Sequence, residues 1–156
     1  MNKKTFVFLI IIVTIVFTSF LIIKYSMEAT AISKLQLAIK NVEIQEIKTT
    51  YAKLKLIFDL SNPTNEYISE LSTDFNIFIT GNLVANGSTY PIDIPAKSTK
   101  ETNSTIKIIF SDVAYAVMNS ILNLKFNLTI HGILHAKVLF GLFSISQEFS
   151  SSYSYT

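Results

Sequence analysis

Residues 6–23, FVFLIIIVTIVFTSFLII, constrain this chain most: they form 18 consecutive positions without a charge, a Gly or a Pro. At 1.5 Å per residue a helix of that length spans about 27 Å, close to the hydrocarbon thickness of a bilayer. The run therefore reads as a membrane segment. Lys3, Lys4 and the terminal amine precede it and only Lys24 follows closely, which puts the N-terminus in the cytoplasm and the rest outside. A cleaved signal peptide is the competing reading, because Ala29-Thr30-Ala31 has the small-x-small form of a cleavage site. Against it, the run exceeds the usual signal core of about 7 to 15 residues, and Lys24 and Glu28 lie between the run and Ala31. An uncleaved anchor is the preferred reading, secretion after Ala31 the alternative; either exports residues 25–156. The expected organisation is an anchor over residues 1–24, a linker or helix end over 25–34, and one domain over 35–156.

Charge changes meaning once the anchor is set aside. All 13 basic residues are Lys; beyond position 24 ten remain against 11 acidic residues, a net charge of −1. A near-neutral domain without Arg lacks both the excess charge and the guanidinium fork of a nucleic-acid binder, so that class of partner is excluded. Without Cys there are no disulfides, thiolate catalysts or thiolate metal sites. The domain must be held by its apolar core, which a chain of this length can build.

After residue 34 the apolar period becomes two. Leu35, Leu37 and Ile39 alternate with polar residues, the phase slips near Lys40-Asn41, and Val42 and Ile44 resume it, as in a bulged strand. Leu54, Leu56, Phe58 and Leu60 make a half-buried strand, followed by Phe75, Ile77 and Ile79 up to Gly81. Leu83 to Asn86 and the proline-bounded TYPIDIPA give short or edge strands, and Ile106, Ile108 and Phe110 another. In SDVAYAVMNSIL the period shifts to three and four, predicting one amphipathic helix capped by Ser111 or Asp112. Alternation returns in Leu124 to Ile130, in Ala136 to Phe140, and from Phe143 through Phe149 with a continuation to Tyr153 and Tyr155 left open; the Tyr-rich tail is expected as the frayed edge of that strand or, alternatively, a strand that pairs with a neighbouring molecule. Seven or eight short strands with one helix argue for an all-β sandwich, not a parallel nucleotide-binding sheet.

No catalytic constellation emerges. His131 and His135 in HGILH have a helix-type metal spacing, but they flank Gly132, expected as a turn, and no carboxylate is near in sequence. Asp59, Asp74, Asp93 and Asp112 are scattered singly, and no Ser lies in Gly-x-Ser-x-Gly or Ser-x-x-Lys. Neither a metal nor another cofactor is expected. Asn86, Asn103 and Asn127 head Asn-x-Ser/Thr sequons, whereas Asn62-Pro63-Thr64 is disqualified by its proline. The helix is expected to cap one end of the core.

The residues Asn62-Pro63, Ile68, Phe75, Gly81, Ala85 with Gly87, Ile94-Pro95-Ala96, and Ile106 to Phe110 occur in an order that resembles the water-stress and hypersensitive-response (WHy) domain of the late-embryogenesis-abundant (LEA) group 2 proteins. The later segment, with Gly132 and Gly141 in successive turns before a last strand, is similar to the family's ending. The resemblance covers residues 35–150 and departs from the pattern at Thr64, usually Asn, and Phe75, usually Tyr. It implies an immunoglobulin/fibronectin III-like sandwich of about seven strands with one helix. It also implies a non-enzymatic role in stress or desiccation protection, with lipid binding and shielding of membranes or proteins as candidate modes. A bacterial or archaeal form behind one membrane helix fits the Lys, Ile and Asn bias. In this reading Asn62, Pro63, Gly81, Gly87, Pro95, Gly132 and Gly141 shape turns. The membrane contact is through residues 6–23, the ligand is a lipid or protein, and the oligomeric state is open. The alternative is a surface-assembly subunit whose strand edges pair between copies.

Overall fold

The computed structural model describes residues 2–156; Met1, the first residue of the expected anchor, lies outside them. The chain folds as α1 (Lys3–Ser33), β1 (Gln36–Ile47), β2 (Tyr51–Asn62), β3 (Ile68–Ile79), β4 (Asn82–Ser88), β5 (Ile92–Ile94), β6 (Ser98–Ile109), a 3₁₀ turn (Phe110–Asp112), α2 (Tyr115–Leu122), β7 (Phe126–Val138) and β8 (Phe143–Tyr155). One antiparallel sheet has the order β1-β2-β6; the other has β4-β3-β7-β8, with β5 also on β3. This is an immunoglobulin/fibronectin III-like sandwich of eight strands, the upper end of the seven or eight expected, because the short proline-bounded β5 pairs in its own right.

The period-two pattern explains the layers. Leu54, Leu56 and Phe58 from one sheet meet Phe75, Ile77, Ile79, Leu128 and Ile130 from the other, all buried in one core that Val117 and Ile121 of α2 close at one end. Phe58 and Phe75 meet edge to face with centroids 5.4 Å apart, the arrangement favoured by the ring quadrupoles. The expected phase slip in β1 is present, with register shifts between Ile39 and Asn41 and between Ile44 and Glu46. Among the described residues no buried side-chain nitrogen or oxygen lacks a hydrogen-bond partner; the buried Thr73 and Thr89, for example, bond each other through hydroxyls 3.2 Å apart.

Four local expectations need correction, and one open alternative is decided. Residues 25–33, expected as a linker or a helix end, are the helix end: they continue α1, whose sequence has no Gly or Pro to stop it before Ser33 and whose last turn is held by packing. α2 starts at Tyr115 with Ala114 as its N-cap, not at Ser111 or Asp112. Phe110 is buried and its N–H is bonded to Thr50 O, so the chain needs extended Val113 and Ala114 to bring Val117 and Ile121 onto the core. The C-terminal tail is not frayed: β8 pairs with β7 through Tyr155, whose ring stacks on Phe126 at 5.0 Å.

The remaining corrections concern Gly87 and Gly132, which sit inside β4 and β7 and not in turns. Both lie opposite Phe75 in the sheet, and a Cβ would come within 2.5 Å of its ring at Gly87 and within 2.4 Å of Asp74 O at Gly132. Phe149 stands opposite Gly132 from the other side, so glycines and phenylalanines alternate across four strands. The glycines are there to admit aromatic rings.

Candidate functional site

The two ends of the sandwich differ. α2 closes the far end; α1 arrives at the near end, where β2 and β7 finish and β3 starts. Ala31, Ile32 and Leu35 are buried there with Leu60, Ile68, Leu71, Ile94, Leu134, Ala136 and Val138 in a second core. Leu21, Lys24 and Glu28 extend that face at helical spacing toward the apolar run and are partly covered, whereas residues 2–20 are exposed on every side. The described part of the run has mean hydropathy 3.1 over an 18-residue window with none of it buried, and is long and apolar enough to cross a membrane. Thr14 and Thr18, two of its few polar residues, bond back to Ile10 O and Thr14 O at 2.9 Å, which leaves their donors satisfied without water.

Polar groups lock α1 to the sandwich. Lys24 Nζ lies 2.8 Å from Glu66 Oε2 and 3.2 Å from Glu28 Oε1. Glu28 Oε2 accepts a hydrogen bond from Leu139 N at 2.7 Å. Helix, β2–β3 loop and β7–β8 hairpin are thus tied by one charged cluster at the level where the apolar run ends.

The turn residues Asn62 and Pro63 belong to this end. Asn62 is 1% exposed, and its Nδ2 donates to Glu66 O at 2.7 Å and Pro95 O at 3.1 Å. Its Oδ1 accepts from Thr64 N at 3.1 Å and Thr64 Oγ1 at 2.7 Å. One amide therefore stitches the Asn-Pro corner to the Ile-Pro-Ala segment 33 positions away. The Thr64 hydroxyl supplies a bond within the turn, so its departure from Asn is accommodated. Pro63, Thr64, Asn65, Glu66 and Lys97 face Ser26, Met27, Thr30 and Lys34 of α1 across an open cleft of about 470 Å³.

The β7–β8 hairpin completes the near end. Val138 pairs with Phe143, and Leu142 N bonds Leu139 O, leaving Phe140-Gly141 at the centre of a tight turn. Leu139, Phe140 and Gly141 have φ of 49°, 62° and 85°. Left-handed backbone suits Gly141 but is costly for Leu and Phe. Phe140, Leu142 and Phe143 are 75%, 76% and 58% exposed.

The other residues singled out in the sequence do not come together. His131 and His135 both lie on β7, since Gly132 is no turn, and four positions along a strand separate them by about 13 Å. His135 Nδ1 is 2.9 Å from Ser146 Oγ and its Nε2 is 3.5 Å from Asp74 Oδ2, while His131 packs on Phe78. Asp59 faces Lys40, and Asp112 accepts from the Ser111 hydroxyl. Asp93 accepts from Glu70 N at 2.9 Å, which holds its carboxyl below the usual range. At the far end, Lys48 followed by Tyr51 pull Glu46 down to about 2. Among the described residues no three His, Asp or Glu side chains gather as a metal site needs. The sequon residues Asn86, Asn103 and Asn127 are exposed; the first two line a cleft of about 570 Å³ between β4 and β6, shared with Ser88, Thr102 and Ser104.

Sequence reasoning missed the docked face of α1 and the hairpin tip. A signal existed for the second, because residues 138–147 carry no charge between Lys137 and Glu148 and centre on LFGLF.

No family model matches the chain, and no curated protein matches it. Solved structures do. The protein At1g01470 from Arabidopsis thaliana is similar at 12% identity and TM-score 0.59, over 76% of this chain and 78% of its own. The Arabidopsis protein At2g46140.1, assigned to the LEA class, is similar at 11% identity and TM-score 0.54, over 90% of this chain and 83% of its own. At such identities the likeness shows an LEA-like fold.

Proposed function

We propose that this chain is a membrane-anchored, extracytoplasmic module of the LEA group 2 (WHy) kind that protects a membrane surface under water stress without catalysing a reaction. The observation that carries the reading is the union of an LEA-like sandwich with an apolar helix that docks on it without a linker. Lys3 and Lys4 before the run favour a cytoplasmic N-terminus, with the sandwich outside. Dispersed carboxylates and histidines support a role in binding over one in acid–base chemistry. The lipid partner is the bilayer itself, not a lipid carried between the sheets: that space is filled by Leu54, Leu56, Phe58, Ile77 and Leu128, and the 570 Å³ cleft beside it is lined by Asn, Ser, Thr, Gly and Tyr.

The surface-assembly alternative draws on β8, a long edge strand. β1 lies against part of that edge, where Ile39 N bonds Ser151 Oγ at 3.2 Å and Tyr153 Oη bonds Asn41 Oδ1 at 3.2 Å, which leaves less of it free. Negative-stain images of the purified chain should show no filaments.

The protective role is tested with the full chain reconstituted into dye-loaded phosphatidylcholine and phosphatidylglycerol vesicles, then dried and rehydrated. Dye retention should exceed that of vesicles holding an unrelated single-pass protein. Equal leakage in the two would overturn the reading.

A further inference from the structure

We infer that the β7–β8 hairpin tip is a second membrane-contacting element, which seats Phe140, Leu142 and Phe143 in the interfacial layer of the same leaflet from which α1 emerges. The inference rests on the proposed reading of α1 as a membrane span, and adds to it the side of the sandwich that faces the lipid.

Level is the first argument. Glu28, whose carboxylate holds Leu139 N, is five residues past Ile23, or about 7.5 Å along the helix axis. The polar layer on each side of the hydrocarbon is about 5–7.5 Å thick. The tie therefore places the base of the hairpin beside the anchor at the outer edge of the headgroup layer. Coverage agrees: the first residue of α1 that is not fully exposed is Leu21, inside the apolar run, so the covered face reaches down to lipid level.

Composition is the second. Phe140, Leu142 and Phe143 are three exposed large apolar side chains within four positions, the densest such group on the sandwich. Their segment carries no charge from 138 to 147, while Lys137, Lys97 and Lys34 stand at the same end as partners for anionic headgroups. Aromatic and aliphatic side chains with free lysines at the same end match an interfacial layer, the Glu28 and Glu66 carboxylates there being held by Lys24.

Backbone strain is the third. With Phe140 and Gly141 both at positive φ, the turn has the type I′ pattern that favours Asn-Gly. The chain instead keeps Phe at a position where both its conformation and its exposure to water are unfavourable. A bilayer occupant removes the second penalty.

A chain without cysteine allows a clean test. Single-cysteine variants Phe17→Cys, Leu142→Cys and Asn82→Cys of the full chain are labelled with an environment-sensitive fluorophore. They are reconstituted into phosphatidylcholine and phosphatidylglycerol vesicles with and without brominated lipid. The label at 17 reports the anchor, that at 142 the hairpin, and that at 82 the turn at the opposite end. Quenching at 17 and at 142, severalfold stronger than at 82, is the expected result, and adding Phe140→Asn to the Leu142→Cys variant should weaken it. Quenching at 17 with 142 behaving like 82 overturns the hairpin contact and leaves the anchor standing. Loss of quenching at 17 overturns the anchor reading and this inference with it. A label at 142 that escapes lipid quenching yet is shielded from aqueous iodide would mean a protein partner, and also overturns the inference.

Discussion

The chain makes the same kind of tight hairpin at both ends of its sandwich, with opposite chemistry. At the far end Ile79 pairs with Asn82 across Thr80-Gly81, both at positive φ, in a polar turn. At the near end the central pair is Phe140-Gly141, flanked by Leu139 and Leu142. The geometry of the central pair cannot account for the difference, because two positive-φ positions hold Thr-Gly in one place and Phe-Gly in the other, although the near turn adds Leu139 at positive φ as well. Surroundings can: the far turn sits near α2, which ends in the sandwich, whereas the near turn sits against α1, which continues as an apolar stem. The helices repeat the contrast. Each inserts a few aliphatic side chains into a core, yet only α1 adds a charged lock through Lys24, Glu28 and Glu66.

Substituting the plugs tests the comparison most severely. Ile32→Ala and Ile121→Ala should each cost about 2–5 kcal/mol, since both side chains are almost fully buried. Thermal melts in detergent followed by circular dichroism measure both. A cost at Ile32 near zero, beside a large one at Ile121, would mean that α1 is a tether and not part of the near-end core. Next in size is Asn62→Ala, which removes the amide serving Glu66 O, Pro95 O and Thr64 and should cost about 1–3 kcal/mol. If that variant melted like the parent but lost the dye retention proposed for the parent, the corner would be a binding site and not a structural stitch.

A smaller effect runs in the opposite direction. Phe140→Asn should stabilise the fold by about 1 kcal/mol, because Asn accepts positive φ more readily than Phe. Thr80→Asn at the far turn should gain only a few tenths. Equal gains would remove the argument that Phe140 is held at a conformational cost. The smallest effect concerns pH. Glu46 is lowered from 4.5 to about 2 by Lys48, so its contribution is complete above about pH 4.5 and fades as pH falls toward 2. The melting temperature should hold from neutral pH to about 5 and decline below 4.5, with Glu46→Gln reducing the decline slightly, because the pair is exposed. An unchanged profile in Glu46→Gln would show that the pair contributes nothing.

Much of the sandwich was readable in advance. Leu54, Leu56 and Phe58, and Phe75, Ile77 and Ile79, advertise their burial because strand geometry sends alternate side chains to one face. The slip at Lys40-Asn41 appeared as a break in that alternation, and the bulge followed. Val117 and Ile121 were equally plain, since helical spacing marks a buried stripe. The candidate site was less legible. Gly132 looks like a turn residue in a linear reading and becomes a space for Phe75 and Phe149 only when three strands are side by side. Tyr155 looked like loose tail until its ring met Phe126.

By itself, the sequence determined the layered all-β class, the single α2 cap and the apolar stem, because each rests on a local period or a local absence of charge. Tertiary structure alone decided that the end of α1 plugs the near-end core, that Asn62 bridges to Pro95, and that LFGLF stands beside the stem. Those features depend on pairs such as Glu28 and Leu139, 111 positions apart. A linear pattern carries no information about such a meeting until the sheets have set its geometry.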